Sequence, residues 1–176
     1  MKKYFILVSA FIFLFSISAF AGKITYSIDP TTATPEGATV VTKGDGEVVI
    51  FFNVQAFEEG MVFTFNLDMK AKGDSVTFPV NADMKIIGNK KHADVTFDPA
   101  TVTFENLDES VSSLVTVTLQ SGNYDKTKKI KIKFKADSEK GKGLGKGAGV
   151  KIVITKSATY EEFLEIMKEE LLEKDE

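Results

Sequence analysis

The chain has 176 residues, with 22 basic and 25 acidic side chains for a net charge of −3, and it contains no cysteine. Disulfides and thiol chemistry are therefore excluded, and stability must come from burial. Every basic residue is a lysine, so the bidentate Arg contacts and net basic face of a nucleic-acid binder are both missing. The length suits one domain with a real core and is short for two.

At the N-terminus, Lys2 and Lys3 precede an apolar run from Tyr4 to Ile17, and Ser18-Ala19-Phe20-Ala21 closes it with small residues at the peptidase-read positions. Residues 1–21 are read as a secretory signal peptide cut after Ala21. The expected location is the periplasm or the cell surface, with no membrane span once the leader is gone. A retained anchor is the rival reading, because the run approaches the roughly 20 residues of a spanning helix. The Ala-x-Ala site and the strand-like sequence directly after it favour processing.

From Lys23 to Lys156 the pattern is period-2 alternation. Val48 to Phe52 is apolar on both faces, which marks a strand covered on its second side. Met61, Phe63, Phe65, Leu67 and Met69 share one face, and a further strand is expected over Val76 to Ile87. Val95 with Phe97, Val102 with Phe104, and Val115, Val117 and Leu119 continue the alternation. Ile130, Ile132, Phe134 and Ala136 alternate with lysines, and Val150, Ile152 and Ile154 close the series. Turn residues separate these runs at Asp45-Gly46, Glu59-Gly60, Gly73-Asp74, Gly88-Asn89 and Gly122-Asn123. The expected fold is all-β, an antiparallel sandwich of about eight strands over residues 22–156, immunoglobulin-like or jelly-roll-like.

Ile28-Asp29-Pro30-Thr31-Thr32 is echoed by Phe97-Asp98-Pro99-Ala100-Thr101. Strands follow each copy at similar spacing, which suggests a duplicated four-strand unit sharing one core. Recurrence of Asp-Pro turns by composition is the alternative.

Phe97-Asp98-Pro99-Ala100-Thr101-Val102-Thr103-Phe104, an acidic loop, and then Ser113-Leu114-Val115-Thr116-Val117-Thr118-Leu119 resemble the opening strands of Calx-β-like and immunoglobulin-like repeats of bacterial surface proteins. The resemblance runs loosely to Ile154. It implies an extracellular, often adhesive module. The calcium-binding acidic loops of some such modules are matched only by the isolated Asp108-Glu109 and Asp137-Ser138-Glu139, so no metal or cofactor is assigned.

Catalytic signatures do not assemble. The single His92 lies in a polar turn and no Gly-x-Ser-x-Gly elbow accompanies it. Lys140 to Gly147 is glycine-rich, yet it lacks the P-loop Ser or Thr and leads into a strand, so it reads as a hairpin connection. No catalytic residue is expected, and the chain is read as a non-enzyme.

Two features remain as candidate surfaces. Lys129, Lys131, Lys133 and Lys135 line one face of one strand, a stripe suited to an anionic polymer or to guarding a sheet edge against pairing. Residues 157–176 change period. Thr159 and Glu162 form a capping box, and Tyr160, Phe163, Leu164, Met167 and Leu171 make one apolar stripe on a helix from Tyr160 to about Lys174. The stripe needs a surface to cover, either the chain's own sandwich or a partner.

These readings lead to an exported structural or adhesive protein, with self-association or another surface protein as partner. Gly22 to Asp29, freed by cleavage, is a candidate exchanged strand. The alternative is a periplasmic module that binds a glycan or an apolar ligand between its sheets.

Overall fold

The computed structural model describes residues 22–88, 92–145 and 147–172. The leader expected over residues 1–21, part of the turn before His92 and the end of the terminal helix lie outside the described residues.

Ten strands form two sheets, and a helix covers part of one of them. The strands are β1 (Lys23–Ile28), β2 (Thr39–Thr42), β3 (Val48–Val54), β4 (Val62–Lys72), β5 (Val80–Ile86), β6 (Ala93–Asp98), β7 (Thr101–Phe104), β8 (Ser110–Leu119), β9 (Lys129–Ser138) and β10 (Val150–Lys156), followed by α1 (Tyr160–Leu172). One sheet has the order β1-β4-β8-β6 and the other β2-β3-β10-β9-β5-β7. Their inner faces meet in a single apolar core centred on Phe52, Phe63, Phe65, Leu67, Phe104 and Phe134. The expected sandwich is therefore present, with ten strands in place of about eight.

Two details depart from the antiparallel expectation. β10 pairs with β3 in parallel, Val150 opposite Val48 through Lys156 opposite Val54, and with β9 antiparallel on its other side. Parallel strands need both faces covered, and the covering explains the doubly apolar β3. Val48, Ile50 and Phe52 point into the sandwich core, while Val49 and Phe51 pack under α1. The strand expected from Val76 begins only at Val80, after the cis Phe78–Pro79 bond, because proline has no N–H to give a ladder.

The Asp-Pro echo has a defined place. Each copy sits where the chain leaves an edge strand of the four-stranded sheet, β1 or β6, and crosses to an edge strand of the six-stranded sheet, β2 or β7. Asp29 caps a short 3-10 turn over Pro30–Thr32, accepting from Thr31 N at 2.9 Å. Beyond these corners the likeness stops, since β3 lies in one sheet and β8 in the other.

The glycine-rich β9–β10 connection is packed rather than free. Gly22 N donates to Gly143 O at 2.7 Å, and Gly145 N donates to Gly22 O at 2.6 Å. A Cβ on Gly143 would stand 2.1 Å from Ser75 O, and its φ is +82°. Only glycine fits such an approach.

Candidate functional site

β9 places its lysines, half-buried, on the outer face of the six-stranded sheet while Ile130, Ile132, Phe134 and Ala136 fill the core. It is an interior strand, between β10 and β5, so its lysines do not guard an edge. Register places Lys129 beside Thr155, Lys131 beside Val153 and Lys133 beside Lys151. One step further, Val153 lies beside Phe51 and Lys151 beside Val49. The outer face is thus apolar toward β3 and cationic toward β9.

α1 settles on that boundary. Thr159 starts it, its hydroxyl accepting from Glu162 N at 3.2 Å, while the Glu162 carboxylate accepts from Ala158 N at 3.0 Å. Phe163 meets Phe51 edge-on at 6.4 Å and packs with Val49 and Val153, with Met167, Leu171 and Val41 at the margin. The buried residues of the helix are Phe163, Ile166 and Glu170. Relative to the stripe read from sequence, Leu164 is half-buried and Tyr160 is 67% exposed. The helix is rolled so that Ile166 and Glu170 face the sheet.

Glu170 explains the roll. Its Oε1 lies 2.6 Å from Lys129 Nζ and 2.7 Å from Lys131 Nζ, and its Oε2 lies 2.5 Å from Lys151 Nζ. The Glu170 side chain has 0% exposure and that of Lys151 has 2%. Burial alone pushes the Glu170 carboxyl upward, but hydrogen bonds from Lys129, Lys131 and Lys151 outweigh it and hold the group at about 2. Lys133 joins a second cluster, with Glu47 Oε1 at 3.5 Å, and Glu47 Oε2 takes Lys43 at 3.1 Å. Lys135 stands opposite Lys85, which pairs with Asp137 at 2.6 Å.

The apolar stripe read from sequence does not include Glu170. The available signal was its spacing, seven positions after Phe163 and so on the same helical side.

At the end of the sandwich beside the first turn of α1 there is an open cleft of about 680 Å³, bordered by the β8–β9 connection and the β10–α1 junction. His92 lies elsewhere, its ring 5.7 Å from that of Tyr124 and its carbonyl accepting from Gln120 N at 3.0 Å. No group of three His, Cys, Asp or Glu side chains suited to a metal occurs among the described residues. No helix among them is long and apolar enough to cross a membrane.

No protein-family model matches the chain, and no curated protein matches it. Among solved structures, the crystal structure of domains 4 and 5 of the S-layer protein SbsC is similar over 81% of this chain and 79% of that one, at 13% identity and a TM-score of 0.32. That distance carries no functional argument.

Proposed function

We propose that this chain is an exported, non-enzymatic structural or adhesive module of the cell surface or periplasm, able to self-associate through its first strand. The observation that carries the reading is the use made of its polar groups. The largest charged constellation among the described residues, Glu170 with Lys129, Lys131 and Lys151, clamps a helix to a sheet, with the Glu170 side chain fully buried. The space between the sheets is filled by phenylalanines, which disfavours an apolar ligand held there.

β1 supports the assembly part of the reading. It is an edge strand on β4 whose Ile24, Tyr26 and Ile28 plug the core. The same plug delivered by a second copy would make identical contacts between chains.

Two measurements test this. Expression of the full chain in a bacterial host, with fractionation and N-terminal sequencing, is expected to give an exported product starting at Gly22. Light scattering on the Gly22–Glu176 protein is expected to show concentration-dependent association that is lost when Gly22 to Asp29 is deleted. An unprocessed cytosolic chain overturns the export reading. A monomer at every concentration overturns strand exchange.

A further inference from the structure

We propose that the cleft beside the first turn of α1 is a binding site for an anionic glycan, taking the acidic groups of its sugars. The inference rests on the exported, adhesive reading above and supplies it with a ligand class.

Three lysines, Lys126, Lys128 and Lys156, border the cleft, and none has an ion-pair partner among the described residues. The contrast with the neighbouring stripe is direct, because Lys129, Lys131, Lys133 and Lys151 are all engaged by Glu170 or Glu47. The stripe lysines are thus held in ion pairs, whereas the three cleft lysines outnumber the two carboxylates of the lining, Asp125 and Glu162, and are not locked onto them.

The rest of the lining selects the kind of anion. Gln55 and Thr127 contribute an amide and a hydroxyl, and Asp125 and Glu162 contribute carboxylates. A bare anion gains nothing from carboxylates, whereas sugar hydroxyls donate to them. Glu162 is also held back by Ala158 N at 3.0 Å. Among the described residues no aromatic side chain lines the cleft, so they offer no platform for stacked nucleobases. The volume of about 680 Å³ lies within the roughly 300–1,000 Å³ of small-ligand sites, enough for a short stretch of a chain that continues into solvent.

The site is built on fixed backbone. Lys156 N donates to Lys128 O at 2.9 Å, tying its two sides together, and Thr127 N donates to Tyr124 O at 3.0 Å. Ser157 is buried, with its hydroxyl donating to Asn53 Oδ1 at 2.6 Å. A preformed arrangement loses little entropy on binding.

The test compares binding of the Gly22–Glu176 protein, which carries every strand and the helix, to polygalacturonate, dextran sulfate, neutral dextran and single-stranded DNA at physiological salt. Binding is expected to one or both acidic glycans and not to neutral dextran. The preferred polymer tells whether carboxylate or sulfate is the recognised group. The triple variant Lys126→Glu, Lys128→Glu, Lys156→Glu is expected to weaken binding by roughly tenfold or more, while Lys70→Glu, Lys72→Glu, Lys140→Glu, with the same change in net charge, stays within about twofold. The three cleft lysines changed to Gln, with melting curves on each protein, separate lost binding from lost folding. Absence of binding to both acidic glycans, equal loss in the two triple variants, or equally tight binding of DNA overturns the proposal. An exported chain that binds neither glycan sinks this inference and leaves the structural reading standing. A chain that binds but is never exported does the reverse.

Discussion

Lys151 Nζ and Glu170 Oε2 lie 2.5 Å apart with both side chains withdrawn from solvent. Lys151 belongs to a strand held on both sides, and Glu170 to the last turns of a helix of 13 residues. A helix that short is marginal alone, so this contact, with the Phe163 packing, fixes where it lies.

Replacing Glu170 by Ala removes the buried carboxylate that Lys129, Lys131 and Lys151 share. The expected loss is about 3–5 kcal/mol of stability, measured as a lower urea midpoint. A paired Lys151→Met, Glu170→Met protein is expected to regain most of it, since apolar replacement of a buried pair is often neutral or better.

Acid should release the same clamp. The folded-state value of Glu170 is depressed from 4.5 to about 2, so its contribution is complete above the ordinary value and disappears as pH falls toward 2. A loss on the order of 3 kcal/mol is expected across that window. Denaturation midpoints from neutral pH to pH 2 check it, and Glu170→Gln should flatten the acid limb.

Tyr26 makes a prediction at the other end of the scale. Its hydroxyl accepts from Ala136 N at 2.9 Å, and burial, reinforced by the charge of Asp137, pushes it up to about 12 against the lowering effect of that hydrogen bond. A raised value in a group that ionises to an anion means stability falls as pH climbs from 10 toward 12. Tyr26→Phe should abolish this alkaline loss, and at neutral pH cost about 1–3 kcal/mol for the orphaned N–H. Thermal melts at neutral and alkaline pH read both effects.

Glycine substitutions distinguish packing from flexibility in the β9–β10 connection. Gly143→Ala should cost about 2–4 kcal/mol, because a methyl cannot clear Ser75 O and φ is positive. Gly44→Ala meets nothing within 4 Å and should change stability by about 0.5 kcal/mol or less. Parallel melting curves of the two variants decide the matter.

The strands were legible because alternation reports which face a residue takes, and Met61 to Met69 or Ile130 to Ala136 take the faces their pattern implies. Alternation does not report a neighbour. The parallel β3–β10 pair joins residues 102 positions apart, Val48 with Val150, and the interior place of β9 depends on β5, whose Ile86 lies opposite Phe134, which no local pattern encodes. The capping box at Thr159 was readable because it is local chemistry. The roll of α1 was not, because the lysines that draw Glu170 inward come from β9 and β10. A hydrophobic stripe predicts that a helix docks, while its rotation was set here by three charges on other strands.

The pairing of β10 gives the molecule a mechanical asymmetry. Tension entering through the last strand must break two ladders together, one with β3 and one with β9. Tension entering through β1 meets one ladder, to β4, and the two hydrogen bonds that tie Gly22 to Gly143 and Gly145. Under load the sandwich should open first at the segment proposed to exchange between copies, so pulling would favour the hand-over of that strand to a neighbour while the rest of the fold stays closed.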